Sequence, residues 1–325
     1  MTPPEPISER AAPPAAEAAH PGQPAEAGKP AQPAQAAHPI PPIGAVALWM
    51  SGAIAGFTAM AVAGRSLASQ HDTFEIMLWR SLIGLGLVLA WSLGTGRAEA
   101  LRPRNLRLHA ARNISHFIGQ NLWFAALPLI PLAQIFALEF SYPLIVALAA
   151  PFLLGEALTG RRIGAAALGF AGVVIVARPW NAAEFNLGTL LVLAAAFGFA
   201  GSALATKALT RRATLTEILF WVTLMQLGLS LACALYDGQM RLPTAQSLPA
   251  LMVIGLAGLG AHLCMTQALS LAPASVVAPF DFLRLPVSAL IGAAFFDEPL
   301  TLSLALGGAI ILAANWLNLG KRPKN

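Results

Sequence analysis

The sequence predicts an all-α membrane protein with ten transmembrane helices in two inverted five-helix repeats. Three observations carry that expectation. Of the 325 residues, 57% are hydrophobic and only 11% charged, against about 45–50% apolar and about 25% charged in a soluble domain. Apolar runs of span length follow one another from residue 43 onward. The later runs repeat the earlier ones at a single fixed spacing.

Residues 1–42 stand apart from this pattern. They hold 12 of the 25 prolines, interleaved with Ala, Gln and Glu and nearly free of aliphatic residues. Such a stretch cannot bury enough apolar surface to fold. It also lacks a compact apolar stretch ahead of a small-residue cleavage site, so it is expected to be a disordered cytoplasmic leader and not a secretory signal.

A span needs about 20 mostly apolar residues. Such runs lie at 43–64, 74–94, 108–127, 132–154 and 162–179, then at 186–207, 216–236, 248–270, 275–296 and 301–320. They define a first repeat over 43–179, a second over 186–320, and a basic tail at 321–325. If the N-terminus is cytoplasmic, thirteen basic residues fall on that side: Arg97, Arg102, Arg104, Arg107, Arg112, Arg161, Arg162, Lys207, Arg211, Arg212, Lys321, Arg322 and Lys324. Arg10 and Lys29 of the leader join them, while Arg65, Arg178 and Arg241 fall on the other side. The positive-inside rule therefore places both termini in the cytoplasm. The basic residues lie between apolar runs and not along one amphipathic face, so the pI near 9.8 reports topology and not a nucleic-acid partner. Cys233 and Cys264 lie in apolar runs and are expected to be small buried hydrophobes, with no disulfide framework.

At a constant offset of 142, without gaps, Gly56-Phe57 falls on Gly198-Phe199, Arg65 on Lys207, Glu75-Ile76 on Glu217-Ile218 and Trp79 on Trp221. Further along, Pro131 falls on Pro273, Glu139-Phe140 on Asp281-Phe282, Glu156 on Glu298 and Leu158-Thr159 on Leu300-Thr301. Composition alone supplies Ala and Leu coincidences, but not the Glu, Trp and acid-Phe matches at one offset. Each half has five spans, an odd number, so the second half crosses the membrane in the opposite sense. Inverted repeats of this kind let a secondary transporter open alternately to either side.

A charge near the centre of a span costs at least about 2.5–3.5 kcal/mol on insertion scales, so Arg80, Glu139, Asp281 and Arg284 each need a reason. Glu139 and its repeat mate Asp281 sit roughly 10–12 Å below opposite surfaces at about 1.5 Å per residue, just short of the middle. A carboxylate pair at that depth is where a substrate or proton site is expected. Pro143 has no N–H for the Glu139 carbonyl, and Pro286 none for that of Phe282, so both positions suggest a polar cavity. A purely structural reading pairs Asp281 with Arg284 at i and i+3, and Glu139 with Arg80 or Arg112.

In the third span Arg112, His116 and Gln120 follow at steps of four and share a face. His262, the repeat mate of Gln120, and Thr266 do the same in the second half. These faces either line the cavity or hydrogen-bond neighbouring helices. Two His so far apart, with no cysteine beside them, do not argue for a metal, and no cofactor is expected. Trp79, Trp123, Phe124, Phe136, Phe140, Tyr142, Trp221, Phe280 and Phe282 cluster near the polar positions and suit stacking on a planar or cationic solute. Trp79 and Trp221 fit an interfacial belt better, being close to their helix starts.

The ten spans in two repeats, with Gly155-Glu156 and Asp297-Glu298 ahead of a Leu-Thr, resemble the drug/metabolite transporter superfamily in its EamA-type branch. The resemblance covers about 43–320. Phe74 to Arg80 (FEIMLWR), the third span and Ala278 to Leu285 (APFDFLRL) are similar to the subgroup of bacterial S-adenosylmethionine uptake carriers. It implies a multi-pass carrier of a bacterial-type inner membrane with a central cavity, moving amino acids, S-adenosylmethionine-like solutes or related metabolites. Riboflavin carriers occur in the same branch. The site residues expected to bind substrate or protons are Glu139, Asp281, Arg80, Arg284, His116, Gln120, His262 and Tyr142, with the bilayer and a small solute as partners. Two readings from other classes remain: a passive channel, which needs a continuous polar stripe, and an intramembrane enzyme, which needs a nucleophile-base pair or metal cluster that single acids on separate helices do not supply.

Overall fold

A computed structural model describes residues 43–96, 102, 104–154, 159–181, 185–209, 212–236, 240–272, 277 and 280–319. The leader, Arg97, Glu156, Arg211, Ala278, Pro279 and the basic tail lie outside the described residues. In chain order the helices are α1 (Ile43–Leu67), α2 (Thr73–Gly94), α3 (Leu106–Ala126), α4 (Leu132–Glu139), α5 (Tyr142–Leu154), α6 (Gly160–Ala177), α7 (Leu187–Leu209), α8 (Leu215–Ala234), α9 (Leu248–Leu271), α10 (Arg284–Phe296) and α11 (Leu302–Leu319). Among the described residues seven stretches are long and apolar enough to cross a membrane, α4 and α5 counting as one; α10 and α11 are shorter apolar helices. The remaining span, α3, carries the polar face noted above.

The duplication read from the sequence reappears in the helix limits. Adding 142 to Tyr142–Leu154 gives Arg284–Phe296, and adding it to Gly160–Ala177 gives Leu302–Leu319. The start signals coincide too. Asp72 caps α2, accepting from the Glu75 N–H at 2.8 Å while the Glu75 side chain accepts from the Asp72 N–H at 3.1 Å. At the matching place Thr214 caps α8 by accepting from the Glu217 N–H at 3.2 Å. Thr159 and its mate Thr301 likewise accept from the N–H groups of Arg162 and Leu304. Each such cap satisfies an orphan donor and is worth roughly 1 kcal/mol.

Packing joins one repeat to the other. The most extensive pairings are α1 with α9, α3 with α7, α2 with α8, and α6 with α11. Exchanging the repeats turns the first pairing into the second and maps the last two onto themselves, as a pseudo-two-fold axis requires. Glycine permits the closest of these approaches. A Cβ on Gly56 would stand 2.8 Å from the Ala257 carbonyl on α9, and one on its mate Gly198 would stand 2.8 Å from the Ser115 carbonyl on α3. Ser115 and Ala257 are themselves repeat mates, so the same small-residue crossing occurs twice.

The fourth and ninth spans depart from the continuous helices expected at 132–154 and 275–296. Phe140 and Ser141 form a turn between α4 and α5, and Phe282 and Leu283 form one ahead of α10. The reason is proline: Pro143 and Pro286 sit in the first turn of the new helix, where no N–H is needed, and neither can continue the old one. The turn exposes the Phe140 carbonyl, which accepts from Asn315 Nδ2 of α11 at 2.8 Å. The carbonyl of Phe282, expected to be bare, accepts from the Leu285 N–H at 3.1 Å. Large apolar side chains such as Phe152, Phe170, Phe197 and Phe295 lie on the outside, while Gln120, Gln226, Glu139 and Asn315 are buried. This is the polarity of a protein whose solvent is lipid.

Candidate functional site

The two broken spans bring their acids to one guanidinium. Arg284 Nη2 lies 3.4 Å from Glu139 Oε1 and 3.3 Å from Asp281 Oδ2. Trp123 Nε1–H of α3 donates to the other Glu139 oxygen at 2.8 Å. All three charged residues are buried. The guanidinium carbon stands 4.9 Å from the Phe57 ring centroid, 5.1 Å from that of Phe136 and 5.0 Å from that of Phe140. A cation enclosed by ring faces and carboxylates is well held. Two acids to one guanidinium leave a formal surplus of negative charge, and Asp281 Oδ1 is buried without a hydrogen-bond partner among the described residues. Half-buried Tyr142 is within electrostatic reach of all three.

Glu139 thus meets Arg284, and not Arg80 or Arg112 as the structural reading supposed. Those two arginines are found elsewhere. Arg112, counted from the sequence with a cytoplasmic loop, lies inside α3, where Nε donates to Thr206 Oγ1 at 3.3 Å and Nη1 donates to Asn113 Oδ1 at 2.8 Å. Arg80 crosses from α2 against α9, where a Cβ on Gly258 would stand 3.1 Å from its Nε. His116 and His262 face each other with ring centroids 6.3 Å apart. Each packs on one member of the repeat-matched Gly-Phe pair, His262 on Phe57 at 5.2 Å and His116 on Phe199 at 5.9 Å. Phe57 therefore touches Arg284 on one side and His262 on the other, and joins the acid-bearing cluster to the basic one.

Gln120 is buried with Oε1 unpartnered among the described residues. Thr266 instead bonds back to the His262 carbonyl within its own helix at 2.7 Å. Trp79 and Trp221, expected in an interfacial belt, have buried indole nitrogens. Asn113 ties α3 to α8, donating to the Trp221 carbonyl at 3.2 Å, while Gln226 donates to the Asn113 carbonyl at 2.9 Å.

Sequence reasoning missed a clasp at the end of the molecule where α1 finishes. Arg65 Nε donates to the Leu127 carbonyl at 2.7 Å, Nη2 donates to the Ile130 carbonyl, and Nη1 pairs with Glu298. Glu298 in turn accepts from the Leu132 N–H at 2.8 Å. The preceding Asp297 has φ 53 and closes α10 in the left-handed region; its repeat mate in sequence is Gly155, the residue type that such a cap favours. The available signal was the shared offset of Arg65 with Lys207 and of Glu298 with Glu156. Near this end a cleft of about 470 Å³ is lined by Gly64, Phe74, Phe124 and Cys233 among others, and not by the Arg284 cluster. Removing one charge of a partly buried ion pair costs less than the about 3–5 kcal/mol of a fully buried one, but still weakens the clasp. Glu298→Gln is therefore expected to loosen this end and raise the rate at which a thiol reagent modifies Cys233 several-fold, measured in a Cys264→Ser background. An unchanged rate would show that the clasp does not hold the end closed.

A riboflavin transporter of Brucella anthropi is 32% identical over 74% of this chain and 85% of its own length. A riboflavin transporter of Vibrio cholerae is 30% identical over 82% of this chain and 90% of its own length. An S-adenosylmethionine uptake transporter of Rickettsia prowazekii is 25% identical over 78% and 85%. A crystal structure at 21% identity and a TM-score of 0.59, covering 84% of this chain and 96% of the other, shares the fold. Residues 44–178 and 186–320 each match the EamA-like transporter family. With both halves matched and seven apolar helices of membrane length among the described residues, the chain is a multi-pass small-molecule transporter and belongs to the EamA-like transporter family.

Proposed function

We propose that this protein is a secondary transporter that moves a small organic metabolite with a planar heteroaromatic ring by alternating access of its two inverted repeats. The observation that carries this reading is the meeting of Glu139 and Asp281, repeat mates on two broken spans, at the single guanidinium of Arg284. A cluster built from both repeats has to rearrange whenever one repeat moves against the other. The two carboxylates bind a donor group of the solute or carry a coupling proton. Riboflavin and S-adenosylmethionine, the solutes in the relatives' names, both contain such a ring, which favours them as first candidates. The inner membrane of a bacterium and cytoplasmic termini fit the bacterial relatives and the distribution of basic residues.

The test is uptake of labelled riboflavin and S-adenosylmethionine by liposomes reconstituted with the full chain. Saturable uptake of one of them, accelerated when the same unlabelled solute is loaded on the opposite side, is the expected result. Flux that grows linearly with concentration and shows no acceleration would support a channel instead.

A further inference from the structure

We infer that Arg80 and Arg112 form an anion-binding pole of the central site, which takes a carboxylate or similar acceptor group of the solute while the Glu139–Arg284–Asp281 cluster takes another part. The assignment rests on the transport reading in treating this region as a substrate site, but its charge argument is independent of it.

Arginine keeps its charge in any protein environment, and a charge removed from water is retained only where something compensates it. Arg284 has two carboxylates. Arg80 and Arg112 have none among the described residues. Arg80 Nε is buried without a hydrogen-bond partner there, and Arg112 reaches only the neutral oxygens of Thr206 and Asn113. The two arginines flank the facing imidazoles: Arg80 lies against Gly258, one turn before His262, Arg112 lies one turn before His116, and the two rings are 6.3 Å apart. The acid near this side, Glu217, lies 3.5 Å from His109 Nε2. The groups near the arginines are thus the imidazoles of His109, His116 and His262, a hydroxyl and an amide, and among the described residues no carboxylate pairs with either arginine.

The arrangement is also built to admit a charged side chain. Arg80 lies across α9 at Gly258, one turn before His262, because no side chain there blocks it. Phe57 links this basic pole to the acid-bearing one through its contacts with His262 and Arg284. A solute spanning the two poles therefore carries an anionic or strongly accepting group at one end and a donor or cation at the other.

The test uses simple aromatic acids and their amides as probes in place of the solute. The purified full chain is heated in detergent at fixed ionic strength with benzoate or benzamide, and with nicotinate or nicotinamide, at tens of millimolar. The acids are expected to raise the unfolding midpoint by several degrees more than the matching amides. Arg80→Gln and Arg112→Gln are each expected to remove that gap, Arg80→Lys to keep part of it, and Glu139→Gln, at the other pole, to keep it. Equal stabilisation by acid and amide in the unaltered protein overturns the proposal. So does a full gap in Arg80→Gln or, should that variant not fold, in Arg112→Gln. A gap that behaves as expected in a protein without saturable, exchange-accelerated uptake would leave the anion site standing and sink the transport mechanism.

Discussion

Arg284→Gln is expected to abolish transport and to destabilise the purified protein more than replacement of either acid that faces it. The substitution leaves Glu139 and Asp281 buried on two broken spans with no counter-ion between them, and removing one partner of a buried charge cluster costs about 3–5 kcal/mol. Three ring faces that now surround the guanidinium lose their cation as well. The double variant Glu139→Gln/Arg284→Gln removes one of the stranded charges, so its unfolding midpoint should recover towards that of the unaltered protein while uptake stays absent. Arg284→Lys should recover less, because an ammonium is a compact point charge without the planar fork that reaches both carboxylates. An Arg284→Gln protein that melts like the unaltered one would show that the cluster contributes nothing to the fold.

Glu139→Gln separates transport from folding more sharply. The amide oxygen can still accept from Trp123 Nε1–H, now at 2.8 Å, and Arg284 keeps Asp281. The substitution then removes one of the two ion-pair contacts of Arg284, and its cost is expected to stay below the about 3–5 kcal/mol of stranding a buried charge. Transport, if it depends on a carboxylate that binds the solute or a proton, should fall at least about 100-fold, equivalent to 2.7 kcal/mol or more. Uptake into liposomes and the unfolding midpoint are measured on the same preparation. Normal uptake by a well-folded Glu139→Gln protein removes Glu139 from the site, and the same comparison for Asp281→Asn tests whether the two repeats contribute equally.

Much of the architecture is visible before any folding. The run lengths of apolar residues locate the spans because a bilayer of fixed thickness demands them. The offset that superimposes Glu75 on Glu217 and Thr159 on Thr301 also superimposes the caps of α2 on α8 and of α6 on α11. Pro143 and Pro286 mark the places where the fourth and ninth spans break, although from the sequence they suggest only a polar cavity at bare carbonyls. The clasp between Arg65 and Glu298 was not legible in this way: its partners are 233 positions apart, and nothing local to either residue names the other.

The sequence by itself determined the number of spans, the duplication, the inversion that follows from an odd number of spans, and the short list of charges inside the membrane. These are local or periodic properties of one chain in lipid. Only the tertiary structure decided which charge meets which. The spacing of Glu139, Arg80, Arg112 and Arg284 along the chain allows several pairings. The choice depends on how each helix is rotated about its axis and which helix of the other repeat it packs against. Those rotations are set by crossings such as Gly56 on Ala257 and Gly198 on Ser115. They place Arg284 between the two acids and leave Arg80 and Arg112 without a carboxylate partner among the described residues.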